Sequence, residues 1–194
     1  MTTIVITGGN RGIGLHLARR YAEAGCEVVQ GVRNPDSAGN LPGETLPLDV
    51  GDDASVAAFA AALGGRPIDI LINNAGSAGP DRQSAIDTDF AGFLDVLNIN
   101  TLGPLRVTQA LLPGLRKAKG AKVAIISSRM GSFSDAQANL LAYRASKAAA
   151  NKIAQGLATD LAPDAIAVAA LHPGWVRTDM GGSAADISPE ESAQ

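Results

Sequence analysis

An α/β domain is predicted, with a doubly wound, mostly parallel sheet between two helix layers, and three observations predict it. Short apolar runs of strand length alternate with helix-like stretches along the whole chain. A glycine-rich turn joins the first run directly to the first amphipathic stretch. The 194 residues are 46% hydrophobic and 18% charged, which suits one globular domain with a sizeable core.

The elements follow in order. Residues 3–6 form a short apolar strand, and 13–24 an amphipathic helix after the glycine turn. A second apolar run covers 26–32 and a weaker third 45–48. The stretch 55–63 is Ala-rich and helical, and 68–72 reads as a buried strand. A long helical region spans about 90–117, interrupted near Asn98, Gly103 and Pro104. Residues 122–126 are the fifth strand, 143–161 a helix and 166–171 the sixth strand. Strands alternating with helices imply βαβ units, a parallel sheet and helices on both faces. There is no internal repeat or linker-like shift of composition, so a single domain over 1–194 is expected.

Composition also excludes partners. No apolar run approaches the roughly 18 residues that cross a bilayer. Residues 1–7 carry no basic leader, so a cytoplasmic protein without a membrane partner is expected. Cys26 is the one cysteine and reads as a small buried apolar residue in a reducing compartment. A net charge of −3 gives no reason to expect nucleic acid. His16 and His172 are the two histidines and no cysteine cluster exists, so no metal site is expected.

The turn after the first strand contains Gly8, Asn10, Arg11, Gly12, Ile13 and Gly14. Its glycines let the backbone approach a pyrophosphate, and the helix start offers free N–H groups and a positive dipole end. The spacing is G-x-x-x-G-x-G, and the Lys-Ser/Thr ending of an NTPase loop is missing. Taken alone, such a loop can be a structural turn. The position that would carry a ribose-binding acid carries none; Arg33 follows the second strand, and Arg11 sits in the loop. Two guanidiniums suit a 2′-phosphate, which favours NADP(H), with NAD(H) the alternative. The competing reading is two solvated surface arginines.

Tyr143 and Lys147 stand four apart at a helix start, on one helix face, so phenol and ammonium can share a site. Phenol titrates near 10, and a neighbouring Lys ammonium favours the phenolate, as acid–base work near neutrality requires. By chance this spacing is usually a surface pair.

The ordered set decides. The glycine loop, Asn73-Asn74-Ala75-Gly76, Asn100-Thr101-Leu102-Gly103, Ser127-Ser128, Tyr143-x-x-x-Lys147 and Pro173-Gly174 occur in one sequence order. Together they resemble the short-chain dehydrogenase/reductase family over essentially the whole chain. Residues 127–132, 142–147 and 172–180 look like those of sniffer-type carbonyl reductases and C-factor-like proteins. The resemblance implies a Rossmann-type fold and hydride transfer between NADP(H) and a small carbonyl or alcohol. It implies Tyr143 as general acid or base, Lys147 as the group that lowers its pKa and holds the nicotinamide ribose, and Ser128 as the partner of the substrate oxygen. Asn100 would place a relay water; Asn98 competes for that role but lacks the following x-x-Gly. Asp49 and Val50 would meet the adenine, and Asn74, Ala75 and Gly76 the adenosine side and the sheet. Pro173, Gly174, Val176 and Thr178 would border the nicotinamide. A homodimer or homotetramer is expected on the same ground. Each residue also has a plainer reading, since Asn, Asp and Ser commonly cap turns. His172 reads as a hydrogen-bonded structural residue, and Trp175 as packing near the cofactor or a subunit contact.

The chain departs from the family in two places. Ser188-Pro189-Glu190-Glu191 is a helix start with little chain after it, where relatives continue with a helix and a last strand. A longer natural protein is therefore expected, which an intact mass would check. The spacing from Ser128 to Tyr143 is also longer than usual, with the added length in 131–141. The loops 77–84, 129–142 and 177–185 are expected to line the substrate pocket. Two further readings remain: a nucleotide-binding sensor without turnover, and a sugar-nucleotide epimerase, for whose substrate domain 194 residues leave no room.

Overall fold

Six parallel strands, in the order β3-β2-β1-β4-β7-β8, make the central sheet of the computed structural model, which describes residues 1–134 and 137–194. They are β1 (Thr3–Thr7), β2 (Glu27–Val32), β3 (Glu44–Pro47), β4 (Ile70–Asn73), β7 (Lys122–Ile126) and β8 (Ala167–Leu171). The remaining two, β5 (Gln83–Ser84) and β6 (Asp87–Thr88), form a small antiparallel hairpin that periodicity could not reveal. The register runs Val5 against Val29 on one side of β1 and Val5 against Leu71 on the other.

The helices are α1 (Gly12–Glu23), α2 (Asp53–Ala62), α3 (Phe90–Leu97), α4 (Gly103–Leu115), α5 (Leu141–Leu161) and the short α6 (Pro189–Ser192). The larger core lies on the face covered by α2, α4 and α5. There Val56 and Phe59, Val107, Leu111 and Leu115, and Ala150, Ala154 and Leu157 pack on Val5, Val29, Leu71 and Val123. The opposite face is smaller: Ala18, with Leu17 and Tyr21, covers Ile4, Ile6, Val28 and Ile72. Strands β1, β2, β4 and β7 therefore present apolar side chains both ways, which is why their sequences read as apolar runs.

The expected helix over 90–117 is three pieces. Between α3 and α4 the backbone makes a π-helical turn over Asn98–Leu102, in which Asn100 and Thr101 are buried. Pro104 begins α4 where its missing N–H costs nothing. Pro113 is held within the last turns of the same helix. The Ser188 capping box also forms: Ser188 Oγ accepts from Glu191 N at 3.1 Å, and a Glu191 carboxylate oxygen accepts from Ser188 N at 2.6 Å.

Because the strands are parallel, the loops that follow β1, β4, β7 and β8 gather at one sheet edge. The chain reverses winding direction between β1 and β4, the place where open α/β sheets leave a crevice.

Candidate active site

The phosphate-loop region is built by β1, α1 and the turn after β4. Gly8 has φ +68, and a Cβ there would lie 3.0 Å from Ala75 Cα, so only glycine admits this approach. Thr7 Oγ1 accepts from the backbone N–H of Asn74 and of Ala75, each at 3.0 Å. Asn74 Nδ2 donates to the carbonyls of Thr7 and Gly8, also at 3.0 Å. Asn74 and Ala75 thus shape the glycine loop rather than merely cap a turn. At the start of α1 the N-cap residue Arg11 makes no capping bond and the first turn holds no acid. Its free amides and positive dipole end leave room and charge for an anion. These features fit a dinucleotide pyrophosphate.

Arg11 and Arg33 differ in their surroundings. Arg33 is exposed just after β2, whereas the Arg11 guanidinium pairs with Asp179 at 2.6 Å, both side chains being largely exposed. Asp179 therefore stands beside the glycine loop, a neighbour that sequence spacing could not show. Thr178 lies there too, its Cγ2 being 3.1 Å from where a Gly12 Cβ would sit. Thr178 thus borders the same crevice, while Gly174 lies against the Ile187 side chain and Val176 pairs with Ile187 in an isolated bridge. Trp175 is half exposed, and its indole N–H donates to Gly181 O at 2.9 Å.

Asp49 does not cap α2; Asp52 does, accepting from Ser55 N at 2.6 Å. Asp49 Oδ1 instead accepts from Gly51 N at 2.8 Å. Asn98 donates to Gly51 O at 2.9 Å, and Arg106 reaches both Val50 O and Asn98 Oδ1. The turn that holds Asp49 and Val50 is thereby fixed from the π turn and α4.

The second half of the site lies between β7 and α5. Tyr143 and Lys147 share one face of α5, with Lys147 Nζ 5.6 Å from the phenol ring centroid. Ser128 hydrogen-bonds the Tyr143 hydroxyl and also accepts from Met130 N at 3.1 Å. Ser127 is turned away, donating to Asn151 Oδ1 at 2.5 Å in a buried position. Of the two serines, the structure brings Ser128 to the phenol.

Lys147 is buried, donates to Ile126 O at 2.7 Å, and is pushed down by burial to about 8. The Tyr143 phenol and the Lys147 ammonium respond to burial in opposite directions. Burial raises the phenol above its ordinary value, and the Ser128 hydrogen bond opposes that rise.

Asn100 also differs in its partners. It is 1% exposed; its Nδ2 donates to Ser77 O at 2.8 Å and Ser146 Oγ at 2.9 Å, and its Oδ1 accepts from Ser77 N at 2.8 Å. It ties the segment after Gly76 to α5. Gln83, which the sequence reading passed over, accepts from Tyr143 N at 3.1 Å. Neither Ser77 nor Gln83 belongs to a motif, and their partners are distant in sequence. His172 is exposed, its pKa lowered by partial burial and then by the Arg129 charge, so the hydrogen-bonded structural reading finds no support. In the loop 129–142, Arg144 holds Asn139 and Gln137, while residues 135 and 136 lie outside the described residues. Among the described residues, no group of three or more His, Cys, Asp or Glu could hold a metal ion.

Residues 2–187 match the family model for short chain dehydrogenase. The chain belongs to the short-chain dehydrogenase family. It is 45% identical over 139 residues to the C-signal protein of Myxococcus xanthus, covering 71% of this chain and 82% of that protein. Its fold is similar to that of carbonyl reductase Sniffer of D. melanogaster, at TM-score 0.91 and 30% identity, over 100% of this chain and 88% of that one. It is similar also to an NADPH-bound carbonyl reductase from chicken fatty liver, at TM-score 0.90 and 32% identity, over 99% and 88% of the two chains. The family and these neighbours, one of them an NADPH-bound carbonyl reductase, support an oxidoreductase.

Proposed function

We propose that this short-chain dehydrogenase is an NADPH-dependent reductase of small carbonyl compounds, able to oxidise the corresponding alcohols. The observation that carries the reading is the half-buried Tyr143 phenol, with Ser128 as partner of its hydroxyl and Lys147 Nζ 5.6 Å from its ring centroid. The nicotinamide cofactor supplies or takes up the hydride when bound. Gly8, Asn10, Gly12, Ile13 and Gly14 hold its pyrophosphate side, and Asp49, Val50, Asn74, Ala75 and Gly76 its adenosine side. Pro173, Gly174, Val176 and Thr178 border the nicotinamide. Arg11 and Arg33 select the 2′-phosphate, Arg11 by exchanging its Asp179 partner for the ligand.

In reduction, Tyr143 gives its phenolic proton to the carbonyl oxygen as the carbon receives the hydride. Ser128 hydrogen-bonds that oxygen while negative charge grows on it. Lys147 would return a proton toward the phenol, resupplied by a water that Asn100 places, and would hold the cofactor ribose. In oxidation the same groups run in reverse, with Tyr143 as base. A phenol raised by burial stays protonated at neutral pH, which suits an acid and makes alcohol oxidation favour alkaline conditions. The protein is expected to be cytoplasmic and homo-oligomeric.

Assay of aldehydes, ketones and quinones with NADPH and NADH tests the reading. Tyr143→Phe should lower turnover by about a hundredfold or more while NADPH still binds. Turnover that survives the substitution overturns the role of Tyr143, and a clear preference for NADH overturns that of Arg11 and Arg33. A nucleotide-binding signalling protein is the second reading, favoured by the 45% identity to C-signal. A biological effect that persists in Tyr143→Phe would select it.

A further inference from the structure

Helix α5 starts without a capping side chain of its own. Its N-cap, Leu140, has a left-handed backbone (φ 54) and makes no side-chain cap bond. The first-turn amides of any helix lack partners inside it and must find them elsewhere. That of Tyr143 is taken by Gln83, whose Oε1 lies 3.1 Å away across 60 positions of sequence.

Gln83 is built into its place. It is 5% exposed, and its Nε2 donates to Ala78 O at 3.0 Å and Pro80 O at 2.7 Å. It pairs with Thr88 across the β5–β6 hairpin, whose end is closed by an Arg82–Asp87 ion pair at 2.7 Å. The same segment is anchored at its start, where Ser77 meets Asn100 and Asn100 meets Ser146 of α5. Residues 77–83 therefore form a strut that touches α5 through two contacts, one by way of Asn100 at Ser146 and one directly at Tyr143. A helix start capped from its own chain moves with the helix. One capped by a separate, braced segment is registered against that segment.

We propose that Gln83 is a positioning residue that sets the place of the Tyr143 side chain by holding the backbone amide of that residue from outside the helix. The inference rests on the acid–base role proposed for Tyr143. The phenol meets Ser128, which belongs to the loop after β7, so any drift of the first turn of α5 lengthens that contact. Losing the Ser128 hydrogen bond leaves the effect of burial unopposed, and the phenol then ionises at higher pH. Misplacement of the proton donor also lowers turnover without touching the distant cofactor cradle.

The test compares Gln83→Leu, which removes the acceptor, with Gln83→Glu, whose buried carboxyl, facing the Ala78 and Pro80 carbonyls, is held protonated and so keeps an acceptor and one donor. Both are made in a Tyr21→Phe background; the chain has two tyrosines, so the phenolate absorbance then reports Tyr143 alone. Gln83→Leu should raise the midpoint of that titration and lower kcat about tenfold, leaving NADPH affinity within about twofold. Gln83→Glu should return kcat to within about threefold of the parent. A Gln83→Leu protein that melts earlier but keeps the midpoint and kcat shows a merely structural cap, and overturns the inference. Equal loss in both variants overturns it too, since the acceptor would then be irrelevant. If Gln83→Leu does not fold, Gln83→Glu decides alone: near-parental kcat supports, and a loss of about tenfold or more refutes. If the parent turns over no carbonyl or alcohol, the proposed function fails, and the phenolate titration still tests the placement of Tyr143.

Discussion

Lys147 is the residue at which function and stability oppose each other. The residue is 6% exposed, and burial brings its pKa from the ordinary 10.5 to about 8. Between these values the unfolded chain binds more protons than the folded one, so stability rises with pH across that window. The whole effect is about 3 kcal/mol, present as a penalty below pH 8 and relieved above 10.5. Lys147→Met should flatten this rise in urea unfolding curves taken from pH 7 to 10. The same variant should lose about a hundredfold or more in turnover. A steep pH dependence surviving in Lys147→Met would place its origin elsewhere. Arg11 and Arg33 make a second test at this scale. Replacing both with Gln should raise KM for NADPH about tenfold or more and leave KM for NADH almost unchanged.

At the scale of elements, the junction of β1 and β4 is fixed by a few polar side chains. Asn74→Ala removes both hydrogen bonds to the Thr7 and Gly8 carbonyls. A loss of about 2 kcal/mol in unfolding free energy is expected, together with a raised Kd for NADPH. Unchanged cofactor affinity would separate Asn74 from the phosphate loop. The inner strands were legible because they are covered on both faces and spelled in apolar residues, as in Ile4-Val5-Ile6 and Ile70-Leu71-Ile72. The Tyr143–Lys147 pair was legible because helical spacing puts both on one face and the ordered motifs around it set it apart from a chance surface pair. The hairpin at Gln83, the Arg11–Asp179 pair and the Ser77–Asn100 clasp were not. Each joins residues remote in sequence through polar contacts that leave no period and no motif. The sign of the Tyr143 shift escaped for a related reason: spacing reports neighbours, and burial depends on everything else packed around them.

At the scale of the whole molecule, two unequal cores flank one sheet, and the proposed cofactor groove opens where the loops of β1, β4, β7 and β8 meet. A ligand spanning these loops stabilises only the folded state. NADPH at a hundred times its Kd should add about 2.7 kcal/mol, a rise in Tm of roughly 5–10 °C for a domain of this size. Differential scanning calorimetry with and without cofactor measures it, and NADH at equal concentration should give the smaller shift. An unchanged Tm with NADPH would remove the dinucleotide from the proposal.

The π turn at Asn98–Leu102 acts as a phase shifter in an otherwise regular rod. Each residue turns an α-helix by about 100°, so the extra residue in the wider turn rotates everything before it relative to everything after. That offset lets α4 keep Val107 and Leu111 in the core while Asn100 points to Ser77 and Ser146. Deleting one residue there would restore an unbroken helix and swing α3 round by the same angle, stripping Asn100 of its partners. In this stretch the number of residues is constrained more tightly than the identity of most of them.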